Sequence, residues 1–323
     1  MKRILLLHTG GTISMSTDQR TGAVKPSSEH PLNQYSHLFE ENLQIIEEEI
    51  FQLPSPHVTP SDMLLLQQRI TRAAEEHLFD GVVITHGTDT LEETAYFLDL
   101  TLHVPFPVVL TGAMRPVDEL GSDGVRNLQN AIWTALSSDA RNKGVLVVLN
   151  EEIHTARYVT KTHTTNVATF RTPTFGPIGI VSKHEVRFFQ KLVFSETYPV
   201  TQISSNVCLL KAYAGMDNTL FDALSRSDID GLVIEALGAG NMPPDTLDGI
   251  RQLTQQGIPI VITSRAFNGI AQDIYAYTGG GKHLKELGLI FAPGLTGPKA
   301  RIKLMVLLEQ SMTVDEMNNR FQL

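Results

Sequence analysis

Short, unbroken apolar runs recur along the chain and limit its possible folds more than any other feature. Residues 4–7 (ILLL), 81–87 (GVVITHG), 105–114 (PFPVVLTGAM), 143–150 (KGVLVVLN), 230–238 (DGLVIEALG) and 258–266 (IPIVITSRA) are continuous in hydrophobicity rather than alternating. A strand that buries one face alternates, whereas one covered on both faces does not, and such runs belong to parallel sheets. Helical patterns fall between them, at 61–78, 90–101, 123–137, 247–256 and 295–308. Alternation of strands and helices predicts an α/β fold with right-handed crossovers.

At 323 residues the chain is longer than a single core usually grows, so two domains are expected. The reading is a larger N-terminal parallel-sheet, three-layer domain at 1–190, a linker at 191–206 and a smaller C-terminal α/β domain at 207–323. The boundary comes from residues 184–205, where aromatic and polar residues alternate before Pro199, as in a hairpin running into a linker. With 26 basic and 35 acidic residues the net charge is −9, and no Lys/Arg stripe is visible. That argues against nucleic acid or an anionic membrane surface as a partner. The single cysteine, Cys208 in NVCLLKAYA, cannot form an internal disulfide and reads as packing within a buried strand. Only four consecutive apolar residues precede His8, too few for a signal-peptide core, and no run approaches membrane-spanning length, so a cytoplasmic location is expected.

The strand ends carry the chemistry. LLLHTGGT, VITHGTDT, VVLTGAMR, VIEALGAGN and VITSRAFNG all finish in small or hydroxylated residues. Ligands of open parallel sheets bind outside the carboxyl ends of strands. Small residues also make ordinary βα turns, but so many ends of one kind predict a shared polar pocket. In Thr9-Gly10-Gly11-Thr12 the glycines permit positive φ and close backbone approach, and their N–H groups can bind a carboxylate or an oxyanion. A threonine hydroxyl there is placed as a nucleophile. The motif is no phosphate loop, because GK[ST] and GxGxxG are both missing. In the second strand end, Thr90 and Glu93 read as a capping box for the helix that follows. Thr88 and Asp89 are left over, and an acid beside a hydroxyl can hold an ammonium group or relay a proton. Lys161 stands among Thr160, Thr162, Thr164 and Thr165 with few other charges nearby, and a desolvated lysine beside an Asp would activate neighbouring hydroxyls. No HExxH, CxxC or His/carboxylate spacing points to a metal.

These residues resemble the bacterial-type L-asparaginases, the asparaginase/glutaminase family. TGGTIS (9–14) and THGTDTLEETAYF (85–97) carry the resemblance, supported by TGAMRP (111–116), SDGVRNLQNA (122–131), VTKTHTTNVATF (159–170) and LTGPKARIKL (295–304). The resemblance spans nearly the whole chain. It implies hydrolysis of the side-chain amide of asparagine to aspartate and ammonia without metal or cofactor, and a homotetramer built from dimers, or a homodimer. By position in the motifs, Thr12 resembles the hinged-loop nucleophile, and Thr88, Asp89 and Lys161 the second catalytic set. Asp89 would also hold the substrate α-ammonium. Gly11, Gly87, Ser55, Ala113 and Asn241 match substrate-binding positions, with Ser55 toward the α-carboxylate and Asn241 reaching the neighbouring subunit's site.

The chain also departs from the family. The loop at 14–30 contains no tyrosine where many members place one to assist the nucleophile; Gly22, Ala23 and Val24 occupy the matching region, and Tyr35 lies further on. Tyr277, in IYAYTGGGK, is a candidate to approach from a partner subunit; alternatively, Thr12 needs no tyrosine or its loop stays open. Pro56 stands where periplasmic members have a polar side chain, and the acidic partner-subunit residue of those members has no clear match. Alternative functions are a broader glutaminase-asparaginase, an amidotransferase subunit supplying ammonia to tRNA-bound glutamate, and a weakly catalytic asparagine-binding protein. The amidotransferase reading is disfavoured because that subunit carries an additional N-terminal domain, and a dinucleotide-binding protein is disfavoured because its glycine fingerprint is missing.

Overall fold

The computed structural model describes residues 1–17, 21, 24–26, 42–193 and 195–322. Most of the loop without a tyrosine, together with Tyr35, lies outside the described residues. The chain divides into two compact units, Met1–Thr197 and Tyr198–Leu323.

The first unit is built on an eight-stranded sheet. Its first strands are β1 (Lys2–His8), β4 (Leu43–Glu49), β5 (Gly81–Thr85), β6 (Val108–Thr111) and β7 (Val145–Leu149), and all pair in parallel. The sheet continues antiparallel through β8 (Glu152–Thr155), β11 (Gly179–Ser182) and β12 (Glu185–Phe188). Two small ladders stand apart: β2 (Met15–Thr17) with β3 (Val24–Pro26), and β9 (Thr160–Lys161) with β10 (Phe170–Arg171). The helices are α1 (Pro60–Glu76), α2 (Leu91–Thr101) and α3 (Gly124–Leu136).

Every residue of β5, β6 and β7 is buried, which is why their sequences show no alternation. Leu128, Ala131, Ile132 and Ala135 of α3 pack on Ile4, Leu6, Val83, Val109, Leu146 and Val148. Alternate strand residues point the other way, toward the face where α2 packs on β6 and β7 and α1 on α2. Helix α1 starts with a capping box, in which Thr59 accepts from the Asp62 N–H and Asp62 from the Thr59 N–H.

The register sets up the site. His8 lies opposite Thr85, and Thr85 opposite Thr111. The carboxyl ends of β1, β5 and β6 are therefore level, and the loops leaving them emerge side by side.

The second unit has a four-stranded parallel sheet in sequence order, β13 (Val207–Lys211), β14 (Gly231–Ala236), β15 (Ile260–Ser264) and β16 (Ile290–Phe291). Its helices are α4 (Thr219–Leu224), α5 (Leu247–Gln255), α6 (Gly281–Glu286), α7 (Gly297–Leu308) and α8 (Val314–Phe321). Cys208 lies in β13 as expected, but half-buried, because β13 is an edge strand of this sheet.

The hairpin read at 184–205 is instead β11–β12. The alternating pattern caught only its second strand, and residues 195–205 contain no helix or strand. Among the described residues no helix is long and apolar enough to cross a membrane, and no group of three or more His, Cys, Asp or Glu side chains is arranged to hold a metal ion.

Candidate active site

The five hydroxyl-rich strand ends divide between the units. Those of β1, β5 and β6 lie together in the first unit, while those of β14 and β15 belong to the second, so three of the five ends expected to share one pocket are neighbours in one sheet. Several hydroxyls are consumed in joining these ends. Thr9 Oγ1 donates to the Thr85 carbonyl at 2.9 Å, His8 Nδ1 and Thr85 Oγ1 share a hydrogen bond of 2.8 Å, and Thr111 Oγ1 donates to the Val148 carbonyl at 2.7 Å.

Gly11 and Gly87 meet backbone to backbone. Gly11 has φ +84°, and a Cβ there would lie 2.3 Å from Gly87 Cα; one on Gly87 would lie 2.7 Å from both Cβ and Oγ of Ser55. Only glycine fits at Gly11, on both conformational and steric grounds. The residues that follow the two glycines are Thr12 and Thr88. Thr12 opens a single 3-10 turn, Thr12–Ser14, in which the Ser14 N–H donates to the Gly11 carbonyl at 2.9 Å.

Ser55 is buried beneath this contact, in the turn Ser55–His57 ahead of α1. Its Oγ accepts the Asp89 N–H at 3.2 Å, and its carbonyl accepts the Thr90 hydroxyl at 2.8 Å. The capping box read for Thr90 and Glu93 does not form: Thr90 has ψ 10° rather than the extended backbone of a capping residue, its side chain makes no cap hydrogen bond, and its hydroxyl donates to Ser55 instead. Beside Ser55, Pro56 is exposed.

Lys161 joins the two leftover residues of the β5 turn. Its Nζ donates to Thr88 Oγ1 at 2.9 Å and to Asp89 Oδ1 at 2.7 Å. Thr88 is buried, the Lys161 side chain is 16% exposed and that of Asp89 58%. A pair so exposed on one side contributes little to stability, but it fixes an ammonium against a hydroxyl oxygen, a placement from which an ammonium can stabilise charge on that oxygen. The Asp89 carboxylate faces a cleft of about 420 Å³ lined by Asp89, Glu92, Lys161, Thr162, His163 and Thr164.

The third strand end is held by α3. Asp123 accepts the N–H groups of Met114 and Arg115, each at 3.1 Å. Asn127 donates to Asp123 and to the Gly112 carbonyl, both at 3.0 Å, and accepts the Asn150 N–H at 3.0 Å. The backbone around buried Ala113 is thus pinned on both sides. A Cβ on Gly112 would lie 3.3 Å from the Thr88 methyl, so this loop abuts the β5 turn directly.

His86 is buried, and desolvation lowers its pKa to about 4, so the ring is neutral. Its Nδ1–H donates to the Gly87 carbonyl at 2.8 Å, and Nε2 accepts from the Thr94 hydroxyl at 3.0 Å. The ring therefore braces the Gly87 turn against α2. His86, Asp123, Asn127 and Glu92 were not singled out from sequence. A histidine inside the strongest motif and an Asp–Asn pair at i, i+4 were the available signals.

Asn241 and Tyr277 belong to the second unit. The Asn241 side-chain oxygen accepts the Gly281 N–H at 3.2 Å. Tyr277 is 55% exposed, with its ring 5.5 Å from that of Tyr275.

Residues 3–194 match the family described as "Asparaginase, N-terminal", and residues 206–321 match "Glutaminase/Asparaginase C-terminal domain". The L-asparaginase of Bacillus licheniformis is 39% identical over 308 residues, covering 95% of each protein, and a probable L-asparaginase of Deinococcus radiodurans is 39% identical over 326 residues, covering 99% of this chain and 97% of that one. The crystal structure of a probable cytoplasmic L-asparaginase from Campylobacter jejuni superposes with a TM-score of 0.88 at 32% identity, covering 100% of this chain and 99% of that one. Fold, strand-end hydroxyls and these matches define an α/β amidohydrolase. The chain belongs to the asparaginase family.

Proposed function

We propose that the chain hydrolyses the side-chain amide of L-asparagine to L-aspartate and ammonia, with Thr12 as nucleophile and Thr88, Asp89 and Lys161 as the second catalytic set. The observation that carries the assignment is the Lys161 ammonium bridging Thr88 Oγ1 and Asp89 Oδ1 beside the Gly11–Gly87 contact. In this reading Thr12 Oγ attacks the amide carbon, the C–N bond breaks with proton transfer to the leaving nitrogen, and water then hydrolyses the resulting ester. Backbone N–H groups stabilise the oxyanion. Asp89 faces the substrate ammonium and Ser55 its α-carboxylate. Gly11, Gly87 and Ala113 form the walls, and no cofactor takes part.

We place the protein in the cytoplasm as a homotetramer of paired dimers, or a homodimer, in which Asn241 and Tyr277 reach a partner's site. Phe267, Ile270, Ile274, Tyr275 and Tyr277 are all exposed in one segment of the second unit, and an apolar group of this kind favours a second copy as its cover. A broader glutaminase-asparaginase remains the second reading, favoured by the C-terminal family description.

The test is ammonia release from L-asparagine, L-glutamine and D-asparagine by the protein and its Thr12→Ala variant. Release from L-asparagine that falls by at least ~10³-fold in the variant supports the nucleophile. Comparable turnover of L-glutamine supports the second reading. Binding of asparagine without turnover would replace the enzyme with a weakly catalytic binding protein.

A further inference from the structure

We propose that Glu92 is the positioning residue of Lys161, holding the lysine's strand against the helix that begins at the Thr88 and Asp89 turn; this rests on the assignment of Lys161 to the catalytic set.

Lys161 is carried by β9, a strand of two residues whose ladder partner, β10, also has two. An isolated pair of strands is marginal by itself, and one this short cannot hold a side chain to a few tenths of an ångström. Yet Lys161 Nζ makes two short hydrogen bonds, to Thr88 at 2.9 Å and to Asp89 at 2.7 Å, both on another element.

Glu92 supplies the missing constraint. It is the second residue of α2, three positions after Asp89. One of its oxygens, Oε1, accepts both the Thr160 hydroxyl at 3.0 Å and the Lys161 N–H at 3.1 Å. A single carboxylate oxygen thereby indexes the backbone of Lys161 to the helix whose leading turn holds Thr88 and Asp89. Both ends of the lysine, backbone and ammonium, are fastened to the same short stretch of chain.

The second oxygen, Oε2, is buried with no hydrogen-bond partner among the described residues. A carboxylate oxygen left so costs stability, and a purely structural tie would be met as well by a neutral acceptor. The position in the first turn of α2 favours a negative charge through the helix dipole. That accounts for Glu at this position, while the work of the tie needs only its accepting oxygen.

Glu92 lines the cleft beside Asp89 and Lys161 but makes no contact with either of their charged ends among the hydrogen bonds of the site. It therefore acts through Lys161. Releasing β9 displaces the ammonium from Thr88 while leaving Ser55 and the Gly11–Gly87 walls in place. Turnover should suffer and substrate binding should not.

The experiment measures kcat and KM for L-asparagine in Glu92→Ala, Glu92→Asp and Glu92→Gln, each beside its thermal melt, with Lys161→Met as the control. Glutamine keeps the accepting oxygen at full reach, and aspartate keeps the charge but falls one methylene short. The expected result is a kcat lowered ~30- to 100-fold in the alanine and aspartate variants, with KM within about threefold, and kcat restored to within about threefold by glutamine. Wild-type kcat in both short variants overturns the proposal, as does a change in KM alone. Glutamine as slow as aspartate also overturns it, because charge rather than the tie would then be responsible. Should Glu92→Ala fail to fold, the aspartate and glutamine pair decides alone. If Lys161→Met keeps full turnover, the assignment of Lys161 fails, and that failure is distinct from an inert Glu92 beside an inactive Lys161→Met.

Discussion

Replacing Gly87 with alanine tests whether the spacing of the β5 turn sets the activity. Gly87 is not among the glycines with positive φ, so alanine can adopt its backbone without strain. The obstacle is space: the new methyl would lie 2.7 Å from Ser55 Cβ and Oγ and 3.2 Å from Gly11 Cα. Carbon atoms settle at about 3.5 Å or more, so Ser55 or the turn must withdraw by roughly 0.8 Å. Overpacking of this size costs about 1–3 kcal/mol, part of it offset by the smaller freedom of alanine in the unfolded chain. The first unit should therefore remain folded. Activity is far more sensitive, because the same movement stretches the 3.2 Å hydrogen bond from Asp89 N–H to Ser55 Oγ and shifts Thr88 against Lys161. A displacement near 1 Å at a reacting group lowers rates by up to ~100-fold, so kcat/KM should fall about 30- to 100-fold. Ammonia release gives the kinetics. Fluorescence of Trp133, the sole tryptophan and a residue of α3, gives urea unfolding of the first unit. The double variant Gly87→Ala/Ser55→Gly removes the two Ser55 atoms that the methyl meets at 2.7 Å. It should regain about 1–2 kcal/mol relative to the sum of the single changes, without regaining activity. A folded Gly87→Ala protein with kcat/KM within threefold of the parent would refute the reasoning.

Two further outcomes follow from neighbouring groups. The His86 pKa is lowered from 6.5 to about 4 by burial, so between these values the unfolded chain takes up a proton that the native chain refuses. Its contribution is complete above pH 6.5 and is lost as pH falls toward 4, by up to ~3 kcal/mol; the Trp133 urea midpoint should drop more between pH 7 and 4.5 in the parent than in His86→Asn, and equal drops would contradict this. Asp123→Ala strips the Met114 and Arg115 N–H groups of their acceptor. It should lower the unfolding free energy by about 2–4 kcal/mol and kcat/KM about tenfold, with partial recovery in Asp123→Asn, whereas an unchanged midpoint would mean the loop is held by other contacts.

Legibility in the sequence followed burial. The strands β1, β5, β6, β7, β14 and β15 announced themselves because both faces are covered along most of their length, so their central residues are continuously apolar. β4 (LQIIEEE) and β11 escaped notice since they lie toward the margins of the sheet, half-exposed, with patterns diluted by solvent-facing residues. Thr88 and Asp89 stood out as residues that helix capping did not need, and the structure couples both to Lys161. Thr90 misled for the opposite reason. Its local signal was a good cap, but its hydroxyl is turned to the Ser55 carbonyl, 35 positions away in the chain and visible only once the fold is formed. Glu92 presents the same difficulty. In sequence it is an ordinary acidic residue in a helix's first turn, and its hydrogen bonds to Thr160 and Lys161 cross 68 and 69 positions.

The meeting of Gly11 and Gly87 has a consequence for how such a site can change. The interval between the two turns is fixed by main-chain atoms in contact, with no side chain between them to lengthen or trim. The relation between the Thr12 and Thr88 segments can therefore change only in coarse steps: the smallest substitution at either glycine adds a whole methyl to the crossing. Side chains that can be lengthened or trimmed by degrees stand instead where they line open space, as Thr162, His163 and Thr164 do along the cleft beside Asp89. Attempts to reshape the enzyme by selection should accumulate changes there and leave the paired glycines untouched.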